Sequence, residues 1–119
     1  IGLQTARMVV AEGGSVVIVG NRPEKTEEAR KELAALGQAE ALSANLASDA
    51  GVAALLKAID GQHADIDLLV NAAGVFFPKP FLEHAQADYD QYMNLNKAFF
   101  FITQKVPATS SAIGTSVVR

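Results

Sequence analysis

Leu68-Leu69-Val70-Asn71-Ala72-Ala73-Gly74 carries a short apolar run directly into small residues and a glycine. The run is too short for a helix, and with Ile66 ahead of it and only Asp67 interrupting, residues 66–70 read as a strand. The small residues then leave the backbone uncrowded at the strand's carboxyl end, the edge at which open α/β sheets bind ligands.

The pattern repeats upstream. Val16-Val17-Ile18-Val19 is a continuous β-branched run, which suits a parallel strand buried on both faces. Leu3, Ala6, Val9 and Val10 recur at helical spacing before it and stop at Gly13-Gly14, predicting a helix over about 3–12 whose end uses positive φ. After it, Pro23 suits a helix's first turn, Glu24, Glu27 and Glu28 favour its positive end, Ala29, Leu33 and Leu36 form the apolar stripe, and Gly37 is the expected C-cap. Residues 39–43 read as a weaker strand and 45–48 as a turn, with Ser48 or Asp49 available as the cap of a helix bearing Val52, Leu55, Leu56 and Ile59 and closed by Gly61. Downstream, Pro78 and Pro80 mark a loop before a long helix from about 85 to 106, which Pro107 is expected to end.

Helices therefore alternate with strands throughout, which implies an α/β, doubly wound parallel sheet layered by helices. Such a fold normally opens with a strand, whereas this chain opens at a helix, so the fold is expected to be incomplete as given, with its first strand and its C-terminal half missing. Residues 1–106 are expected to form one nucleotide-binding portion, and 107–119 a tail of unclear assignment.

Composition narrows the function. Lys and Arg number 10 against 13 Asp and Glu, a formal charge of −3 that offers no basic surface to nucleic acid. There is no cysteine, and His63 and His84 lack ligand spacing, so no metal site is expected. No apolar run approaches the roughly 18 residues of a membrane span, and no basic-then-apolar leader opens the chain, so a cytoplasmic protein is expected.

From these residues the chain resembles the short-chain dehydrogenase/reductase family over about 1–106. Ile1-Gly2 is similar to the end of the family's Gly-rich turn, placed before a helix whose free N–H groups and positive end would take a pyrophosphate. Taken alone, the dipeptide is simply a helix start. Asn71-Ala72-Ala73-Gly74 resembles the Asn-Ala-Gly motif against which a cofactor ribose lies, and Asn94 of Met93-Asn94-Leu95 resembles the asparagine that helps hold a relay water. The alternative for Asn94 is a solvent-facing residue like Asn96. Asn45-Leu46 matches the turn that flanks the adenine, with Asn where the family usually has Asp.

The resemblance implies a Rossmann-like fold and an NAD(P)-dependent oxidoreductase that interconverts a carbonyl and an alcohol by hydride transfer. It also implies a small-molecule partner and a homo-oligomer, dimer or tetramer. NADP(H) is expected over NAD, because Gly20 stands where NAD-preferring members place an acid and Asn21-Arg22 follow, offering a guanidinium to a 2′-phosphate. Arg22 equally fits a solvated helix start. The family's Tyr with a Lys four residues later does not occur here, since Met93 follows Tyr89 and Asn96 follows Tyr92 at that spacing. Ser110 and Ser111 read as loop serines, and an inactive dinucleotide-binding or truncated protein is the alternative. Phe76, Phe77 and Phe81 would line an apolar approach to the site or simply pack within their loop.

Overall fold

The structure, a computed structural model, describes residues 1–62 and 65–109, the last three by backbone alone. His63, Ser110, Ser111 and the remainder of the tail lie outside the described residues. Strands β1 (Val16–Gly20) and β2 (Ala39–Ser43) pair in parallel, with Val16 opposite Ala39, Ile18 opposite Ala41 and Val19 opposite Leu42. Parallel pairing requires a crossover, and α2 (Pro23–Ala34) supplies it. The other helices are α1 (Gly2–Ala11), α3 (Asp49–Gln62) and α4 (Gln86–Thr109), with a short 3-10 turn at Phe81–Glu83.

Alternation along the two strands separates two cores. Val16, Ile18, Ala39 and Ala41 pack with Ala6 of α1 and Leu33 of α2. Val19 and Leu42 pack on the other side, with Leu55 and Ile59 of α3 and Ala98, Ile102 and Val106 of α4. Helices thus cover both faces of a parallel sheet, the doubly wound α/β arrangement. Ion pairs follow the same grouping: Arg7 with Glu32 ties α1 to α2, while Lys97 with Asp49 (2.9 Å) and Lys105 with Asp60 (2.5 Å) tie α4 to α3. No helix among the described residues is long and apolar enough to cross a membrane.

Several expectations change in three dimensions. Residues 66–70 do not enter the sheet, which has two strands among the described residues. Leu69 is buried and Val70 half-buried, while Asp67 and Leu68 are exposed, so the segment is covered at its end only and forms no ladder. No described strand lies beside it to take its N–H and C=O groups. For the same reason β1 is not fully buried: Ile18 is, but Val16, Val17 and Val19 are half-buried, with one strand neighbour among the described residues.

Of the two glycines ending α1, Gly13 alone takes positive φ (+90°). Its N–H donates to the Val10 carbonyl (3.0 Å) and that of Gly14 to the Val9 carbonyl (2.9 Å), the paired bonds of a Schellman motif. Gly37 does not cap α2 through positive φ; Ala35 is the C-cap, and Leu36 lies beyond the helix and exposed instead of in its stripe. A Cβ at Gly37 would lie 2.7 Å from Val10 Cγ1, so this glycine allows α1 close approach. Pro107 does not stop α4, which continues to Thr109.

Ser48 caps α3, its Oγ accepting the Gly51 N–H at 3.0 Å and donating to the Asn45 carbonyl at 3.1 Å. This packs Gly51 so tightly that a Cβ would collide with the Asn45 carbonyl, whereas Gly61, inside the last turn of α3, has nothing within 4 Å of a Cβ. Gly51→Ala is therefore expected to destabilise by about 1–3 kcal/mol, and Gly61→Ala to stabilise by about 0.5–1 kcal/mol, in urea unfolding.

Candidate functional site

The Gly13–Gly14 turn sends the chain from α1 back along β1. At about 1.5 Å and 3.3 Å per residue, the 10 residues of α1 and the 5 of β1 have nearly equal lengths. The N-terminus of α1 therefore lies at the edge where β1 and β2 end. Gly2 is buried in its first turn, and Ile1 is fully exposed, with its carbonyl accepting from the Thr5 N–H (3.0 Å) and Oγ1 (3.1 Å). The free N–H groups and positive dipole end of α1 are what this edge offers an anion.

Gly20 pairs with Ser43 in the sheet, and the Ala44 N–H donates to the Gly20 carbonyl at 2.9 Å. That bond brings the two strand ends side by side, so Asn21-Arg22 and Asn45-Leu46 emerge next to one another. Thr26 is buried, with Oγ1 donating to the Arg22 carbonyl at 2.8 Å, and it fills the space a side chain at position 20 would need. Asn21 and Arg22 are exposed at the start of α2. Asn45 turns its own chain, Oδ1 accepting the Ala47 N–H at 3.0 Å. Leu46 is buried in the core shared with α3 and α4, leaving backbone as its contribution to the edge.

Asn71 opens the loop after residues 66–70. Its Nδ2 donates to Thr103 Oγ1 of α4 at 3.0 Å, while Oδ1 is buried without a partner among the described residues. Ala72 and Ala73 are half-buried and Gly74 is exposed with open space around it. Farther along, the Phe77 N–H donates to Tyr92 Oη at 2.6 Å, and the two rings meet edge to face, centroids 5.2 Å apart. Lys79 Nζ then donates to Asp88 Oδ2 at 2.7 Å. That bond, joined by the Ala85 N–H at 2.9 Å, holds the Asp88 carboxyl below the ordinary carboxylate range. The loop aromatics divide: Phe77 packs on Tyr92, whereas Phe76 and Phe81 are 81% and 88% exposed.

The described contacts bring Asn71 to Thr103, not to Asn94. Asn94 is half-buried in α4, nine residues before Thr103, which is about 13 Å along the axis and half a turn around it. Asn96 faces its own helix, donating to the Tyr92 carbonyl at 2.8 Å. Thr26, Asp88 and Thr103 are the participants that sequence reading passes over, and Tyr92 enters it only as a tyrosine without a lysine partner. For Tyr92 and Thr103 a signal existed, since eleven residues is close to three helical turns and puts them on one flank. Among the described residues no group of three or more His, Asp or Glu side chains is arranged to hold a metal ion.

The carboxyl edge of a doubly wound parallel sheet, with a helix N-terminus and the loops after β1 and β2 beside it, is the arrangement of a nucleotide-binding class of protein. The family model for short chain dehydrogenases matches residues 1–118, and the chain belongs to that family. It is similar to 2-dehydro-3-deoxy-D-gluconate 5-dehydrogenase of Escherichia coli, 36% identical over 97 residues, covering 80% of this chain and 38% of that protein. It is also similar to the uncharacterized oxidoreductase YxjF of Bacillus subtilis, 33% identical over 106 residues, covering 88% of this chain and 41% of the relative. The chain thus spans about two fifths of the length of these relatives. Among solved structures, the blue fluorescent protein from a metagenomic library in complex with NADPH superposes with a TM-score of 0.76 at 27% identity, over 92% of this chain and 47% of that one.

Two outcomes test the loop's attachment. Thr103→Val should cost about 1–3 kcal/mol in urea unfolding by orphaning the buried Asn71 amide, while Thr103→Ser should retain most of the stability. Because the folded pKa of Asp88 is depressed, its contribution is complete above the unfolded value and is lost as pH falls through the folded one. Limited proteolysis with an acid-active protease should therefore show loop cleavage rising only below the ordinary carboxylate range.

Proposed function

We propose that this chain is the cofactor-binding portion, centred on residues 1–106, of an NADP(H)-preferring oxidoreductase that interconverts a carbonyl and an alcohol. The observation that carries the reading is the end of β1. Gly20 has no carboxylate to repel a 2′-phosphate, Thr26 occupies the room an acid would take, and the exposed Arg22 follows. A guanidinium at that corner can pair with two phosphate oxygens. The NADPH seen with the metagenomic structure supports the same choice.

The remaining residues fit such a cofactor. Ile1 and Gly2 would place the N–H groups of α1 on the pyrophosphate, Asn21 and Arg22 would hold the phosphorylated ribose, and Asn45 and Leu46 would border the adenine. Asn71, Ala72, Ala73 and Gly74 would let the second ribose lie against backbone. Hydride to or from the carbonyl carbon is supplied by the nicotinamide when bound. Asn94 is assigned to orienting a water in the proton relay that serves the substrate oxygen.

The substrate in this reading is a small carbonyl or alcohol, and the surroundings are cytoplasmic, where nicotinamide cofactors are held. Phe99 and Phe100 on one flank of α4 suit the homo-oligomer, dimer or tetramer, that the family resemblance implies.

The test is a nicotinamide-fluorescence titration of the intact native polypeptide carrying this chain. NADPH is expected to bind more tightly than NADH, and Arg22→Ala should weaken NADPH binding about tenfold or more with little effect on NADH. Equal losses for the two would refute the assignment of Arg22. Binding without turnover of any carbonyl would favour the inactive dinucleotide-binding alternative.

A further inference from the structure

The loop after Gly74 is fastened to α4 at three points in antiparallel order: Asn71 to Thr103, Phe77 to Tyr92 and Lys79 to Asp88. The helix partners span 103 − 88 = 15 residues, or about 22 Å at 1.5 Å per residue. The loop covers 79 − 71 = 8 steps, which reach at most about 26–29 Å fully extended. Little slack remains, and the loop is drawn out like a strand. Burial agrees over its first part, alternating from 74 to 78: Val75 and Phe77 are half-buried, and Gly74, Phe76 and Pro78 exposed.

Two of the three fastenings grip side chains that can pivot. Of the three, the Tyr92 hydroxyl alone accepts from the loop's main chain, at the Phe77 N–H, and it lies between the other two. It therefore sets which loop residues face the helix. A one-residue slip would exchange the two faces, turning Phe76 inward and Phe77 out. Phe76 stands two residues beyond Gly74, at the edge where a sheet of this kind holds its ligand.

We propose that Tyr92 is a positioning residue: its hydroxyl fixes loop 75–80 in the register that presents Phe76 to the apolar part of a carbonyl substrate. The inference rests on the oxidoreductase reading and deepens it by naming a substrate class, carbonyls that carry an apolar group beside the reacting carbon. It also gives a non-catalytic role to a tyrosine that lacks the lysine partner of a proton donor.

The test compares Tyr92→Phe, which keeps the ring contact, and Phe76→Ala with the wild type in the intact native polypeptide. Hydrogen exchange at the Phe77 amide reads the clasp directly, and Tyr92→Phe should speed it about tenfold, the worth of one hydrogen bond. With NADPH saturating, both variants should raise KM for an apolar ketone such as 2-octanone about five- to tenfold, leave KM for acetone and the NADPH dissociation constant within about twofold, and change kcat little. The double variant should be no worse than the poorer single one, because both act through Phe76. An unchanged KM in Tyr92→Phe, or a parallel loss of NADPH affinity, would overturn the positioning role. If wild type reduces no carbonyl, the oxidoreductase reading itself fails and the substrate assignment goes with it. Unchanged exchange at Phe77 would instead remove the clasp while leaving that reading intact.

Discussion

The parallel register that sets Gly20 against Ser43 is the constraint on which the rest of the molecule depends. It aligns the two strand ends, and the Ala44 N–H on the Gly20 carbonyl extends the alignment one residue past the sheet. Shifting β2 by one residue would turn Ala39 and Ala41 away from the core they share with Ile18 and Leu33 and put Glu40 there instead. It would also separate the turns at Asn21-Arg22 and Asn45-Leu46, which the present register sets side by side.

Close approach is the second theme, and it explains why small residues occur where they do. Gly37 admits Val10, Gly51 admits the Asn45 carbonyl, and Gly20 yields its space to Thr26. None of these three glycines takes positive φ, so each is needed for contact and not for backbone conformation. At Gly20 the contact has a chemical consequence. The same buried threonine that holds the Arg22 carbonyl also keeps a carboxylate off the corner assigned to the 2′-phosphate.

On the other side of the sheet, α4 acts as a rail. Its core face, Ala98, Ile102 and Val106, docks against α3, and its neighbouring flank carries Tyr92 and Thr103, which hold the loop opened by Asn71. The exposed ion pairs between α3 and α4 add little energy individually.

The sequence by itself determined what depends on neighbours within a few residues. Helical spacing marks α3 and its stripe of Val52, Leu55, Leu56 and Ile59, a β-branched run marks β1, and Gly13 marks the end of α1. The same local reading recognised the family through Asn71-Ala72-Ala73-Gly74. Tertiary structure decided what depends on distant partners. Residues 66–70 have the composition of a strand, yet pairing requires a neighbouring backbone, and none lies beside them among the described residues. The Asn71–Thr103 bond joins residues 32 apart, and Phe77 meets Tyr92 across 15. Such contacts leave no trace in local periodicity, because a hydroxyl on a helix flank looks the same in sequence whether it faces water or a loop.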